Sequence, residues 1–286
     1  MLDSSLRFAP PPRPVPFSLS ILTSLNGFAQ TGFAVLAFSS IFFWVFAANA
    51  DFSSLTFKAA HGRVSGTVTR IVDTDARQNR STIHANHYQY SVAGKTFEGV
   101  SYSNGDEVRQ GDRVLVEYFE DAPQTSRIAG QRRKLFGAGA AFVVIFPLIG
   151  LAFVVGGVRK GNRRARLLRD GVCTTGVLKN KRPTNTTVNN RRVYDLDFEF
   201  SARDGRRCTA TARTSMVERL TDEREEPLLY DPENPDDAVM LDEAPSRPRF
   251  DESGALVARP VAALLAMILP ALVIAVNTLV LLVKLG

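Results

Sequence analysis

The side chains that could do chemistry fall in four places. His84 and His87 stand three residues apart, with His61 upstream and Asp73 and Asp75 nearby, which supplies ligand types found in zinc sites. Such a site needs three or four converging ligands and a supporting shell. A strand through this region sends His84 and His87 to opposite faces, so surface or turn histidines are expected and no metal. Cys173 and Cys208, the two cysteines, are expected to be reduced, small buried side chains if their module is cytoplasmic, and a disulfide only if the orientation is reversed. Tyr230-Asp231-Pro232-Glu233-Asn234-Pro235-Asp236-Asp237 gathers carboxylates as calcium binding or acid–base work would. Prolines at that spacing fit a rigid turn closed by Asp and Asn side chains. The fourth place is a basic run of Arg159, Lys160, Arg163, Arg164, Arg166 and Arg169, expected to face anionic lipid at about 1 kcal/mol per well-placed cation. No nucleophile–base order, glycine-rich phosphate loop or zinc-peptidase helix motif occurs, so no catalytic residue and no cofactor is expected.

These residues are held between three uncharged apolar blocks, Gly32–Ala50, Leu135–Val158 and Pro260–Val283. Each exceeds the roughly 18 residues at which an apolar run reads as membrane-spanning. The organisation expected is a Pro-rich segment over 1–27, a transmembrane helix over 28–50 and a first β module over 51–134. A second helix over 135–158, a second β module with a basic lead-in over 159–259 and a third helix over 260–284 complete it. The Pro-rich segment reads as an extended, exposed lead-in, and Pro147 and Pro270 as kinks in their helices. None of the spans carries an ionisable residue, which argues against an ion path.

The basic run after the second block sets the expected orientation, because Lys and Arg flanking a span stay in the cytoplasm. A plasma (inner) membrane protein follows, with a cytoplasmic amino terminus, residues 51–134 outside and residues 159–259 cytoplasmic. The alternative folds the second block back on itself near Pro147 and Gly150 and keeps both modules inside. The second module is dipolar: residues 159–213 hold 15 basic and 5 acidic groups, residues 214–259 hold 5 and 13. Without interleaved aromatics this is not a nucleic-acid pattern, so the partners expected are the lipid bilayer and other membrane proteins or a second copy of the chain.

Both modules read as short β-rich segments. In the first these are 66–72, 87–92, 96–100 and 113–118, with a tight hairpin at Ala93-Gly94-Lys95 and a turn at Gln110-Gly111-Asp112. In the second they are 176–179, 194–200, 208–212 and 227–230, with a turn at Arg203-Asp204-Gly205-Arg206. Polar stretches 74–85 and 182–192 read as long, partner-facing loops. The modules end alike: Tyr118 and Tyr230 are each followed by a Pro five residues on and by an apolar residue, Ile128 or Met240, ten residues on. This reads as an internal repeat. The fold class expected is α plus β, three transmembrane helices with two small antiparallel barrels of SH3-like or OB-like kind.

The opening Gly66-Thr67-Val68 and Gly176-Val177, the hairpin around Gly94 and Phe97 and the closing Tyr230-Asp231-Pro232-Glu233-Asn234-Pro235 resemble domain-of-unknown-function family 3592. The first copy departs from that ending with Phe119-Glu120-Asp121-Ala122-Pro123. The resemblance implies small membrane-associated β modules, in two copies, and no catalytic residue. The function expected is a non-enzymatic scaffold or interaction protein. The alternative is a membrane-bound enzyme whose site forms at a module or oligomer interface.

Overall fold

The computed structural model describes residues 9–57, 62–78, 80–105, 108–243 and 248–285. Its α-helices are α1 (Phe17–Ser24), α2 (Gly27–Phe42), α3 (Ser53–Thr56), α4 (Ile145–Asp170) and α5 (Pro260–Leu285). A π-helical turn, Phe43–Ala47, extends α2, and a 3₁₀ stretch, Ala138–Val144, leads into α4. With these extensions three helical stretches are long and apolar enough to cross a bilayer: Gly27–Ala47, Ala138–Asp170 and Pro260–Leu285. The chain divides into two compact units, Phe38–Leu148 and the remainder.

The remainder contains α1, most of α2 and α4, and α5. Asn26 joins α1 to α2: its Oδ1 accepts from the amides of Phe28 (3.0 Å) and Ala29 (3.3 Å), capping α2. Its Nδ2 donates to the Gly157 carbonyl on α4 at 2.7 Å. Small residues let α2 and α4 approach backbone to backbone; a Cβ on Gly157 would stand 2.5 Å from the Ala29 amide nitrogen.

Pro147 does not interrupt α4. It is the third helical residue, in the first turn, where its missing N–H has no intrahelical partner to lose. The helix then runs unbroken through Gly150, so the second block does not double back. Pro270 lies inside α5 and deprives the Ala266 carbonyl of its donor; Gln30 Nε2, from α2, donates to that oxygen at 2.6 Å.

The Pro-rich stretch 9–16 is exposed at Pro10, Pro12 and Pro14, as expected, but it is fastened at Arg13. The carbonyls at the end of α4 lack intrahelical donors, and Arg13 is drawn over them. Its amide donates to Arg169 O (2.7 Å), and its Nη1 to Leu168 O (3.2 Å) and Gly171 O (2.8 Å). Arg13 is left only 3% exposed, and Leu19 is fully buried.

The unit Phe38–Leu148 contains α3 and strands β1 (Ala50–Asp51), β2 (Gly62–Gln78), β3 (Ser81–Val92), β4 (Lys95–Asn104), β5 (Arg113–Tyr118), β6 (Ser126–Ile128) and β7 (Phe136–Gly137). β1 and β7 form a two-residue parallel pair. The others make an antiparallel sheet in the order β4-β3-β2-β5-β6. In the remainder, β8 (Val172–Val188), β9 (Arg191–Ser201), β10 (Arg207–Thr214), β11 (Glu226–Tyr230) and β12 (Ala238–Met240) give the order β10-β9-β8-β11-β12, the same plan. In each sheet the long first strand pairs with the fourth along its early residues and with the second beyond them. Gly66 and Gly176 mark the change-over, and a Cβ there would meet Val116 at 2.7 Å or Leu228 at 2.8 Å. The cores lie beneath them, Val68, Tyr88, Tyr90, Val116 and Ile128 in one sheet, with Leu196, Phe198, Phe200, Leu228 and Met240 in the other.

The eight sequence-derived strand spans fall within β2–β5 and β8–β11; β6 and β12 are additional. Ala93 (φ 48°) and Gly94 (φ 78°) make the expected two-residue turn. The closing segments match in their backbone bonds. Phe119 N donates to Thr125 O, Ala122 N to Phe119 O and Thr125 N to Ala122 O, as Asp231 N does to Asp237 O, Asn234 N to Asp231 O and Asp237 N to Asn234 O. Asp231 Oδ1 also accepts from Glu233 N at 3.0 Å, the expected turn chemistry.

Stretches 74–85 and 182–192 are not loops. β2 and β3 remain paired as far as Gln78↔Ser81, and β8 and β9 as far as Val188↔Arg191, where Asn189 (φ 49°) and Asn190 (φ 60°) turn the chain. Each sheet thus carries a two-stranded arm. A threonine ties each across its irregularity: Thr74 Oγ1 donates to Ile83 O (2.7 Å) and Thr184 Oγ1 to Val193 O (2.9 Å). The second arm is exposed almost throughout and shows no apolar alternation, and the first buries only Ile83 and Ala85 on one of its two strands, which is why both stretches read as loop.

Candidate functional site

The basic run leaves the apolar part of α4 and meets the acidic half of the same module. Arg163 and Arg166 both hold Asp237, and Arg166 stands 3.6 Å from Asp231. Arg164 (3.0 Å) and Lys160 (3.6 Å) share Glu243. Arg169 pairs with its neighbour Asp170 at 2.9 Å. Arg159 has no ion pair among the described residues. The dipolar sequence therefore closes on itself across α4 and the β11–β12 turn. Arg164 is 7% exposed and has no access to a headgroup, while Lys160, Arg163, Arg166 and Arg169 keep about half their side-chain surface in solvent. Arg164 Nε has no hydrogen-bond partner among the described residues, and beside it lies a small cavity walled by Leu168, Leu229, Val239 and Leu241.

Four buried carboxylates escaped the sequence reading, among them Asp197, which the alternation of its strand put on the wet face and which Arg182 (2.9 Å) and Thr211 Oγ1 (2.9 Å) hold. Glu117 lies between Arg63 (3.2 Å) and Arg127 (2.9 Å), and Arg127 also covers the Phe57 ring at 4.7 Å. Asp51 is pushed up by burial, but bonds from Ser53 and from the amides of Arg133 and Lys134 outweigh this and hold it below its ordinary value. Glu226 has no such company. It is 2% exposed, it receives the Glu223 amide at 3.0 Å, and burial with Asp222, Glu223 and Asp242 nearby pushes it up to about 7. In the first sheet the apolar Val114 holds the corresponding place opposite Gly66, as Glu226 does opposite Gly176. An acidic residue before Pro227 gave no periodic signal for burial.

Among the described residues no group of three metal-ligating side chains converges. His84 Nδ1 lies 2.7 Å from Asp73 Oδ1 across the first arm, His87 Nε2 lies 3.4 Å from Arg70, and His61 is outside the described residues. An open recess of about 340 Å³ on the outer face of the first sheet is lined by Thr69, Arg70, His87, Glu98 and Val100. Both cysteines are free; burial pushes the Cys173 thiol up to about 11, away from thiolate chemistry. No known protein family matches this chain, and no functionally curated protein matches it either.

Proposed function

We propose that this chain is a non-enzymatic integral membrane protein whose two β modules act as scaffold or interaction platforms on opposite sides of the bilayer. The observation that carries the reading is one strand plan built twice in a chain with three membrane-length apolar helices. The same plan, the same closing turn and the same threonine-tied arm favour an internal duplication. Of the two barrel types, the OB-like one is preferred. The first strand lies between the second and the fourth, and the fifth returns beside the third, where Ile128 N donates to Ser101 Oγ at 2.9 Å.

The orientation rests on charge. Insertion reads the nascent chain before its ion pairs form, so the run at 159–169 acts with its full positive charge even though the folded module neutralises most of it. The inner membrane is the location proposed, with the amino terminus and residues 159–259 in the cytoplasm and residues 51–134 outside. Compartment reporters fused after Gln124 and after Glu233 test this; opposite signals are expected, and identical ones refute it. Crosslinking and co-purification from native membranes tests the scaffold role, with a stoichiometric protein partner or a second copy as the expected result. The recess at Arg70, His87 and Glu98 is the observation favouring a membrane-bound enzyme, and a turnover lost with His87→Ala would replace the scaffold reading.

A further inference from the structure

The arm of the second sheet gathers basic charge with no acidic residue of its own. Residues 179–192 hold five basic side chains and no acidic one. Arg182 reaches Asp197 at 2.9 Å, Lys179 stands 4.0 Å from Glu199, and Lys181 lies over the Tyr194 ring at 4.7 Å. Arg191 and Arg192 have no ion pair among the described residues, and both are exposed. The matching arm of the first sheet, with the same pairing and the same threonine tie, carries three basic and two acidic residues over 69–82.

We propose that the β8–β9 arm is a polybasic docking arm for an anionic lipid surface, the headgroup layer of the bilayer that the chain's own helices occupy. This rests on the reading that those helices lie in a bilayer and is independent of which side the module faces. The arm has the reach. Asp170 stands 12 residues past Val158, the end of the apolar block, an offset of about 18 Å along α4. Gly171 alone separates the helix from β8, and the arm from Asn180 to Val188 spans about 30 Å. The pairing of Arg164 with Glu243 anchors the sheet about 9 Å beyond that boundary. Lipid is favoured over nucleic acid because the arm offers no open aromatic platform; Tyr194 is covered by Lys181, and a headgroup layer asks only for charge.

The test uses the full chain carrying Asn189→Cys, labelled with a fluorescent donor; Cys208 is buried and the Cys173 thiol is held up near 11, so the label goes to the arm. The protein is placed in nanodiscs of phosphatidylcholine with or without phosphatidylglycerol, each containing an acceptor on a lipid headgroup. Energy transfer is expected to rise with phosphatidylglycerol and to fall back at high salt. Combining K179Q, K181Q, R191Q and R192Q is expected to abolish the rise, each neutralisation cutting the docked-to-free ratio roughly five-fold. R191K with R192K keeps the charge and is expected to keep the docking; loss in that variant overturns a purely electrostatic arm. Transfer indifferent to lipid charge in well-filled discs overturns the proposal, as does RNA co-purifying through the same four residues. Failure of the wild-type chain to enter discs overturns the membrane reading instead.

Discussion

The bond from Gln30 to Ala266 exists because Pro270 cannot supply one, so its energetic weight should vanish when the proline does. Gln30→Met keeps length and apolar volume but strands the Ala266 carbonyl in a helix that has no donor for it. Interhelical hydrogen bonds in membranes average about 0.6 kcal/mol and reach about 1.7. This one serves an acceptor with no helical alternative, which places it at the upper end, at about 1.5 kcal/mol. In a Pro270→Ala background the residue 270 amide can donate to Ala266, and Gln30→Met should then cost no more than about 0.5 kcal/mol. The four proteins form a double-mutant cycle with an expected coupling of about 1 kcal/mol. Reversible unfolding in mixed micelles, followed by helical circular dichroism, measures it. Additivity within about 0.3 kcal/mol would refute the assignment of Gln30 as the substitute donor.

Gly157→Leu should lower stability by about 3 kcal/mol, because its side chain meets the Ala29 backbone rather than a movable group; thermal unfolding in detergent reads this. Glu226 titrates higher in the fold than its ordinary 4.5, so the folded state holds its proton longer and the wild type loses stability as pH rises from about 4.5 to about 7. Below that window there is no penalty. Above it the ceiling is about 3 kcal/mol, with the Glu223 amide already included, and Glu226→Gln should recover most of it at pH 8 while leaving stability at pH 4 unchanged, as paired denaturant titrations would show. Glu243→Gln should cost about 3 kcal/mol by stranding buried Arg164, whereas Arg164→Met with Glu243→Leu should be nearly neutral in the same titrations. Arg13→Met should cost about 2 kcal/mol and expose amides at the end of α4 to hydrogen exchange.

Much of the architecture was legible because it depends on local pattern. The uncharged blocks gave the helices, and the alternation in Tyr194–Phe200 gave β9, with Leu196, Phe198 and Phe200 buried as that period requires. The arms were missed because exposure on both faces erases the period in the second, and two buried residues, Ile83 and Ala85, are too few to show it in the first. β6 and β12, three residues each, were too short to register although Ile128 and Met240 were noticed. The fastening of the lead-in at Arg13 was missed for a different reason. Nothing near Arg13 in the sequence reports the orphan carbonyls of a helix that ends about 155 residues later. The same long range hid the matching of the α4 cations with Asp237 and Glu243: both halves of the dipole were visible, but not that they would face one another.

The junction at Gly171 gives α4 the character of a shaft. Helix and sheet are separated by one residue, Arg13 clamps the joint, and a side chain at Gly171 would collide with the Leu167 carbonyl, so the connection has little room to hinge. With α4 in a bilayer as proposed, a change in thickness would be met by tilting, and a tilt of about 20° over the 18 Å between Val158 and Asp170 would swing the root of the second sheet sideways by about 6 Å. Lipid composition is thereby converted into lateral displacement of a folded module, as a pointer registers the strain in the beam to which it is fixed.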